Sequence, residues 1–210
     1  MIRPVTRTLP RATTPRAGRP GWEIAYSSDW EKLNMDTAGI DTGRVIAHLL
    51  APAGAIPNHP RWPLLVYPGA VAVEGADPAS AFEALFDRNR WTAAWRNGVF
   101  PFHHFHTAAH EALGVYSGEV TVQFGGDSGV VITARPGDVI VLPAGTGHKK
   151  LSSRGRLGIV GAYPAGQHAD MHTPVLSNAR RSAEAVAAVP LPECDPVYGV
   201  RGPLFELWAQ

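Results

Sequence analysis

The sequence predicts a mainly β fold, a small barrel of short strands joined by tight turns. Apolar and polar residues alternate over 119–124, which is the period of a strand with one buried face, and residues 130–134 are predicted to form the returning strand. Between these runs, Gly125-Gly126-Asp127 is a hairpin signal. The chain of 210 residues also carries 22 glycines and 19 prolines, a content typical of many short strands and turns.

The composition of the chain narrows the classes of molecule that are expected to bind this protein. The length suits one domain, or one domain with a tail. The net charge of +1 gives no electrostatic reason to expect nucleic acid, and no apolar run is long enough to span a membrane. Cys194 is the single cysteine, so an intrachain disulfide is excluded and a reducing, cytoplasmic location is predicted.

Residues 1–34 differ in composition from residues 35–210, which we expect to form the single folded domain. Six basic residues stand against three acidic ones in this first segment, and prolines and threonines occur in it without a period. No apolar core follows the arginines, which excludes a secretory signal. The segment is predicted to be a disordered basic arm or the product of a misassigned start before Met35, with an organelle transit peptide as the alternative.

Several elements are predicted before the candidate site. Residues 45–50 and Leu64–Tyr67 are expected strands, and His59, in a proline-rich turn, is expected at the surface. Asp77 and Pro78 suit the start of a helix over 78–89. After the site, a helix is predicted over 177–188, with Ala183, Val186 and Ala187 on one side. Residues 204–208 are predicted to form a closing strand.

Histidines and a carboxylate lie at strand spacing in the middle of the chain. In residues 100–106 a period of two places His104 and His106 on one face, which aims both imidazoles into the same cavity. On the next strand the same alternation turns Glu111 inward and His110 away from it, so His110 is excluded from the ligand set.

These residues fit two known sequence motifs, and the chain therefore resembles the cupin superfamily. The first motif is carried by Gly98, His104, His106, Glu111 and Gly118. The second is carried by Gly137, Pro143, Gly145 and His148, but Ser152 replaces its final asparagine. One copy of each motif implies a monocupin, and the flanking sequence resembles a bacterial subgroup of unassigned function. The resemblance implies a double-stranded β-helix, or jelly-roll barrel, with a few peripheral helices.

The resemblance also implies a metal centre held by His104, His106, Glu111 and His148. Three imidazoles and one carboxylate suit one divalent transition metal, which is iron, manganese, nickel, cobalt, copper or zinc. Other residues are expected to line the substrate pocket. They are Phe100, Phe102, Leu113 and Val115, which make it apolar, with Tyr163 and Gln167 near its mouth. No catalytic residue beyond the ligands is assigned.

Two classes of function follow from such a site. The first is a metal-dependent enzyme acting on a small organic molecule, with dioxygenase or isomerase chemistry; the second is a metallated binding or sensing module without turnover. No dinucleotide or ATP motif is present, so no organic cofactor is expected. A homodimer is predicted because Trp62, Trp91 and Trp95 offer more apolar surface than one sheet covers.

Overall fold

The computed structural model describes residues 23–26 and 44–208, and it confirms a mainly β, cupin-type jelly-roll barrel with a few peripheral helices. The elements are β1 Glu23–Tyr26, β2 Arg44–His48, β3 Leu64–Tyr67, α1 Ala79–Arg88, β4 Trp91–Asn97, β5 Glu111–Phe124, β6 Val130–Ala134, β7 Val139–Leu142, β8 His148–Pro164, α2 Ala179–Ala187 and α3 Pro203–Trp208. The strands run in the order β1-β2-β3-β7-β5-β8-β4, with β6 paired to β5. Every pairing is antiparallel except the parallel pair β1-β2.

Two long strands, β5 and β8, organise the barrel. The first part of β5 lies between β7 and β8, and its second part lies between β6 and β8. The β5-β8 register shifts between Val115 and Ser117, between Ser117 and Glu119, and between Thr121 and Val122. Such irregularities bend a strand and increase its twist, which lets both strands serve two parts of the barrel. Because of this bend, the start of β8 lies at the same end of the barrel as the start of β5.

Strand β3 buries both of its faces. In β3, Leu64 and Val66 join the barrel interior, whereas Leu65 and Tyr67 join a second core outside the sheet. The second core is covered by α1 and α3, which contribute Phe82, Phe86, Leu204, Leu207 and Trp208. This explains why β3 is wholly apolar, and its predicted bounds are confirmed.

A glycine on β5 allows α1 to lie against the sheet. A Cβ atom at Gly114 would stand 2.2 Å from Cδ1 of Phe82, which is far inside van der Waals contact. The ring of Phe82 therefore occupies the space of the missing side chain. Any larger residue at this position would push the helix from the sheet.

The C-terminal segment corrects a prediction. Residues 203–208 form α3, a helix, instead of the predicted closing strand. Leu204, Leu207 and Trp208 are buried at helical spacing, and Pro203 occupies the first helical position, where its missing N–H costs nothing. The run is too short for its period to be distinguished by hydrophobicity alone.

Both longer helices were anticipated, with differences in detail. In α1 no side chain caps the first turn, and Asp77 instead pairs with Arg96 at 2.8 Å. In α2, Ser182 and Val186 are buried, whereas Ala183 and Ala187, which were predicted to share a side with Val186, are exposed. No described helix is long and apolar enough to cross a membrane.

The N-terminal arm lies mostly outside the described residues. Within it, the structure contains β1, which pairs in parallel with β2. The backbone of these four residues extends the sheet. The remaining predictions for residues 1–34 concern residues that the structure does not describe.

Three aromatic side chains that were predicted to provide excess apolar surface pack inside the fold. Trp62 and Trp91 are buried, and Trp95 is partly buried with its Nε1 hydrogen-bonded to the hydroxyl of Tyr163. This removes the apolar-surface argument for the predicted homodimer. His59, expected at the surface, is only 2% exposed because its ring stacks on Trp62 with centroids 4.1 Å apart.

Candidate metal centre

Backbone pairing brings the two predicted motifs together. His104 and His148 exchange hydrogen bonds, with N–H to O=C distances of 3.2 and 2.9 Å, although residues 100–106 form only isolated bridges and not the predicted strand. His148 begins β8, and Glu111 begins β5. The two strand starts and the bridge therefore place all four predicted ligands at one end of the barrel.

The polar atoms of these four side chains converge on one point. One ring nitrogen from each of His104, His106 and His148 lies within 4.8 Å of the others. Oε2 of Glu111 lies 3.5 Å from Nε2 of His106 and 3.4 Å from Nε2 of His148. Glu111 and His148 are buried, and the side chain of His106 is 11% exposed.

Backbone carbonyls fix the orientation of each imidazole. Nδ1 of His104 donates to the carbonyl of Phe102 at 3.3 Å, and Nδ1 of His148 donates to that of Thr146 at 3.0 Å. Nδ1 of His106 donates to the carbonyl of Asp170. A carbonyl can only accept, so each Nδ1 carries a proton, and in a neutral ring Nε2 keeps its lone pair. The three Nε2 atoms are thereby directed toward Glu111.

The charges of the cluster are strongly coupled. Burial alone would raise the pKa of Glu111, but His106 and the other imidazoles hold it at about 2. Burial opposes protonation of His106, yet the Glu111 carboxylate raises the pKa of this imidazole to about 9. Burial and the neighbouring His104 lower the pKa of His148 to about 3. At neutral pH the cluster thus combines a carboxylate, one cationic imidazole and neutral imidazoles.

The donor set fits a divalent transition metal. Oε2 of Glu111 is buried and has no hydrogen-bond partner, which is costly for a carboxylate oxygen. The Nε2 lone pairs of neutral imidazoles would repel this oxygen unless a proton or a cation lay between them. A cation with three nitrogen ligands and one oxygen ligand removes both penalties.

A cavity of about 330 Å³ opens beside the cluster. It is lined by Trp95, Asn97, Gly98, Val99, Phe100, His104, His106, Glu111, Leu113, His148, Tyr163, Ala169, Asp170 and Met171. Three predicted pocket residues, Phe100, Leu113 and Tyr163, are in its wall. The lining contains no lysine or arginine.

The other three predicted pocket residues lie elsewhere. Phe102 is 44% exposed and stacks on Phe100 outside the cavity, with ring centroids 5.1 Å apart. Val115 faces inward, as predicted, but it lies deeper in the barrel core. Gln167 turns toward His110: its Oε1 accepts from the backbone N–H of His110, and its Nε2 donates to the carbonyl of Pro190.

Residues that the sequence patterns did not indicate complete the site. The Nε1–H of Trp95 donates to the Tyr163 hydroxyl at 3.0 Å. A Cβ at Gly161 would stand 2.1 Å from Cζ2 of Trp95, so the glycine makes room for this indole. Asp170 and Met171 arrive from the segment after β8. Trp95 was assigned to surplus apolar surface, which hid its role in the site, and no motif marks the two later residues.

His110 stands apart from the cluster, as the alternation predicted. Its Nδ1 accepts the N–H of Ala144 at 2.9 Å, and its Nε2–H donates to the carbonyl of Pro190 at 3.0 Å. Burial lowers the pKa of this imidazole to about 3. Both ring nitrogens are therefore occupied, which leaves no lone pair for an ion.

A comparison with curated proteins found a relative that shares most of its length with this chain. The uncharacterized protein YjlB of Bacillus subtilis (strain 168) is 40% identical over 157 residues, which is 75% of this chain and 92% of the relative. No protein-family model matches the chain.

Solved structures with similar parts are more distant. Acireductone dioxygenase from Bacillus anthracis, with a cadmium ion in its active centre, matches 43% of this chain and 61% of its own at 17% identity and a TM-score of 0.32. The epimerase RmlC from Legionella pneumophila matches 50% of this chain and 68% of its own at 14% identity and a TM-score of 0.32. Oxalate decarboxylase from Bacillus subtilis matches 53% of this chain and 28% of its own, at 16% identity and a TM-score of 0.30.

Proposed function

We propose that this chain, which belongs to the same protein family as Bacillus subtilis YjlB, is a metal-dependent enzyme of a monocupin subgroup that acts on a small organic molecule. One divalent transition metal would be held by His104, His106, Glu111 and His148. The reaction is of the dioxygenase or isomerase type. The metal is iron, manganese, nickel, cobalt, copper or zinc, since all of these accept imidazole ligands.

One observation carries this proposal: a buried carboxylate oxygen without a hydrogen-bond partner faces three imidazoles whose Nδ1 protons are all donated to backbone carbonyls. A purely structural polar cluster would place permanent donors opposite that oxygen. Here the permanent donors point outward to carbonyls, and only a proton or a metal on the inward Nε2 atoms can offset the carboxylate charge. This arrangement supports a cation at the centre.

The cavity supports catalysis beside such an ion. When bound, a divalent ion supplies Lewis-acid polarisation of an oxygen on the substrate. Phe100 and Leu113 keep the wall beside the cluster apolar and limit the water that reaches it. Burial and the Glu111 carboxylate raise the pKa of Tyr163, so this phenol keeps its proton near neutral pH. The Tyr163 oxygen accepts from Trp95, and Glu111 also interacts with this hydroxyl, so a metal that engages the Glu111 carboxylate would free the O–H proton for an acceptor in the cavity.

The residues of the cavity wall also limit the kind of substrate that can bind. Without a lysine or arginine in the lining, an anionic substrate would have no side-chain cation to bind. Its charge would have to be met at the metal, which favours a carboxylate, enediol or catechol-like oxygen pair on an apolar body. The volume suits a molecule of metabolite size.

The first test is elemental analysis of purified protein. We expect about one transition-metal ion per chain, its loss in His148→Ala, and its retention in the control His103→Ala, whose ring lies beside Asp127 outside the cluster. Full occupancy in His148→Ala would contradict the ligand assignment. A metabolite binding screen then identifies candidate substrates.

Turnover separates the two candidate functions. If the protein is an enzyme, we expect chelator-treated protein to lose all activity on a bound metabolite and to regain it with one divalent metal. For dioxygenase chemistry, oxygen consumption must accompany that turnover. Stoichiometric metal and ligand without turnover would instead favour a binding or sensing module.

The assembly and location of the protein remain proposals. We propose a cytoplasmic homodimer, in which the exposed apolar side chains of Val175 and Leu176, 91% and 87% accessible, are candidates for the contact. A monomer mass by light scattering at micromolar concentration would contradict the dimer.

A further inference from the structure

The segment after β8 passes over the metal centre and is tied down at both ends. At one end Gln167 bonds to the N–H of His110 and to the carbonyl of Pro190. At the other end His172 exchanges backbone hydrogen bonds with Phe105, at 3.0 and 2.9 Å. We call residues 167–172 the strap. Between its ends, Ala169, Asp170 and Met171 line the cavity.

Asp170 is the point where the strap meets a predicted ligand. Its backbone carbonyl accepts the Nδ1–H of His106. A carbonyl at Nδ1 leaves the lone pair on Nε2 and fixes the ring plane, which is how protein groups commonly orient metal-binding imidazoles. His104 and His148 obtain this contact from residues two positions earlier in the chain, whereas His106 obtains it from a residue 64 positions later.

The carboxylate of Asp170 holds that carbonyl in place. Oδ1 accepts the N–H of Thr107 at 2.6 Å and the N–H of Ala108 at 3.2 Å. Oδ2 accepts the hydroxyl of Thr107 and Nε2–H of His172. Burial alone would raise the pKa of Asp170, but these donors, led by Thr107, lower it, so the group is an anion. One residue thus fastens the strap to the chain immediately after His106.

We propose that Asp170 is a positioning residue for the metal centre, which sets the tautomer and ring orientation of His106 through its carbonyl and locks that carbonyl through its carboxylate. The inference rests on the proposed metal site. It predicts that loss of the carboxylate weakens metal binding, although every metal ligand is retained. The same loss should loosen the wall formed by Ala169 and Met171.

The test compares Asp170→Asn and Thr107→Val with wild type and with two controls. Thr107→Val removes the hydroxyl donor at nearly constant shape, and Thr107→Ser restores the hydroxyl. Asp77→Asn changes an exposed carboxylate just before α1, which pairs with Arg96. Zinc dissociation constants are measured on chelator-stripped protein by competition with a chromophoric chelator. Thermal midpoints are measured with and without zinc.

We expect Asp170→Asn to raise the zinc dissociation constant about 10- to 100-fold, the usual effect of losing a group that orients a ligand. Thr107→Val should raise it by a smaller factor, and Thr107→Ser and Asp77→Asn should match wild type. The stabilisation of Asp170→Asn by zinc should shrink accordingly. Wild-type zinc affinity in Asp170→Asn, or an equal fall in its midpoint with and without zinc, would overturn the inference. Failure of the wild type to bind zinc or any other transition metal would overturn the proposed function itself.

Discussion

Two histidine clusters lie close together in this molecule and differ in one respect. In the metal centre, His104, His106 and His148 donate their Nδ1 protons to backbone carbonyls and turn their Nε2 atoms toward Glu111. In the second cluster, which we call the aromatic stack, His59 and His110 pack against Trp62 and Trp208. Both clusters are buried and rich in imidazole. The destination of the ring protons, and not the residue type, distinguishes a ligand from a core histidine.

The aromatic stack has a structural role. Trp62 lies parallel to His59 on one side and to Trp208 on the other, with ring centroids 4.1 and 5.2 Å away. His110 leans on both indoles and also bonds to Ala144. The stack therefore joins α3, the chain before β3 and the loop that presents His148. It supports the metal centre without contributing an atom to it.

The largest effect should come from His110→Ala. The substitution removes a fully buried ring between two indoles and leaves the Ala144 N–H without its acceptor. Cavity creation and an unsatisfied buried donor together cost about 3–5 kcal/mol of unfolding free energy. Chemical denaturation measures this, with exposed His168→Ala as the control, for which the change should stay within about 0.5 kcal/mol. If His110→Ala has the unfolding free energy of the wild type, the proposed structural role of the stack is wrong.

The second effect should come from Glu111→Gln, which changes the metal centre alone. The amide keeps the shape of the side chain but removes the anionic ligand, so metal affinity should fall at least tenfold. Activity should be lost while the circular dichroism spectrum remains that of the folded protein. Unchanged metal content in Glu111→Gln would show that the carboxylate is not a ligand, and the contrast between the clusters would then rest on the imidazoles only.

Much of this contrast could be predicted from the sequence, because it depends on short-range patterns. The period of two placed His104 and His106 together and separated His110 from Glu111. A short apolar run likewise located β3, which has the predicted bounds. Motif spacing added His148, whose bridge to His104 no local pattern specifies.

The features that were missed depend on distant contacts. Asp170 meets His106 through a backbone carbonyl, a group that every residue possesses and that leaves no mark in the sequence. His59 appeared to be a turn residue because its burial comes from Trp62 and, beyond it, from Trp208 at the other end of the chain. Gln167 was assigned to the pocket, but its position was decided by His110 and Pro190. Tertiary contacts of this kind override local propensity.

The third effect is the pH dependence of metal binding, which distinguishes the two clusters by the protonation of their imidazoles. In the metal-free protein Glu111 raises the pKa of His106 to about 9, so a proton occupies this site at neutral pH. Metal must displace that proton, and its affinity should therefore rise about tenfold per pH unit up to about 9 and then level off. Calorimetry in buffers of different ionisation enthalpy should detect release of about one proton per ion at pH 7. An affinity independent of pH from 7 to 9 would contradict the coupling.

The Glu111→Gln variant sharpens this prediction. Without the carboxylate, burial lowers the pKa of His106 unopposed by its main partner, and the proton released on metal binding should largely disappear. His110 cannot contribute at any of these pH values, since its pKa lies at about 3. Proton release that persists in Glu111→Gln would point to a different titrating group.

The smallest effect on metal affinity and stability should come from Tyr163→Phe, which tests whether the cavity side of the metal centre does chemistry. The hydroxyl is not among the proposed ligands, so metal affinity should change less than about threefold, and losing the acceptor for the Trp95 N–H should cost about 1 kcal/mol of stability. If the phenol supplies a proton to the bound substrate, kcat should fall about 100-fold while the dissociation constant of the metal holds, because a positioned proton donor contributes on that scale. Phe100→Leu is the matched control, since it alters the wall without a polar group. Equal losses of kcat in the two variants would reduce Tyr163 to a wall residue, and the metal centre alone would then distinguish this cluster from the aromatic stack.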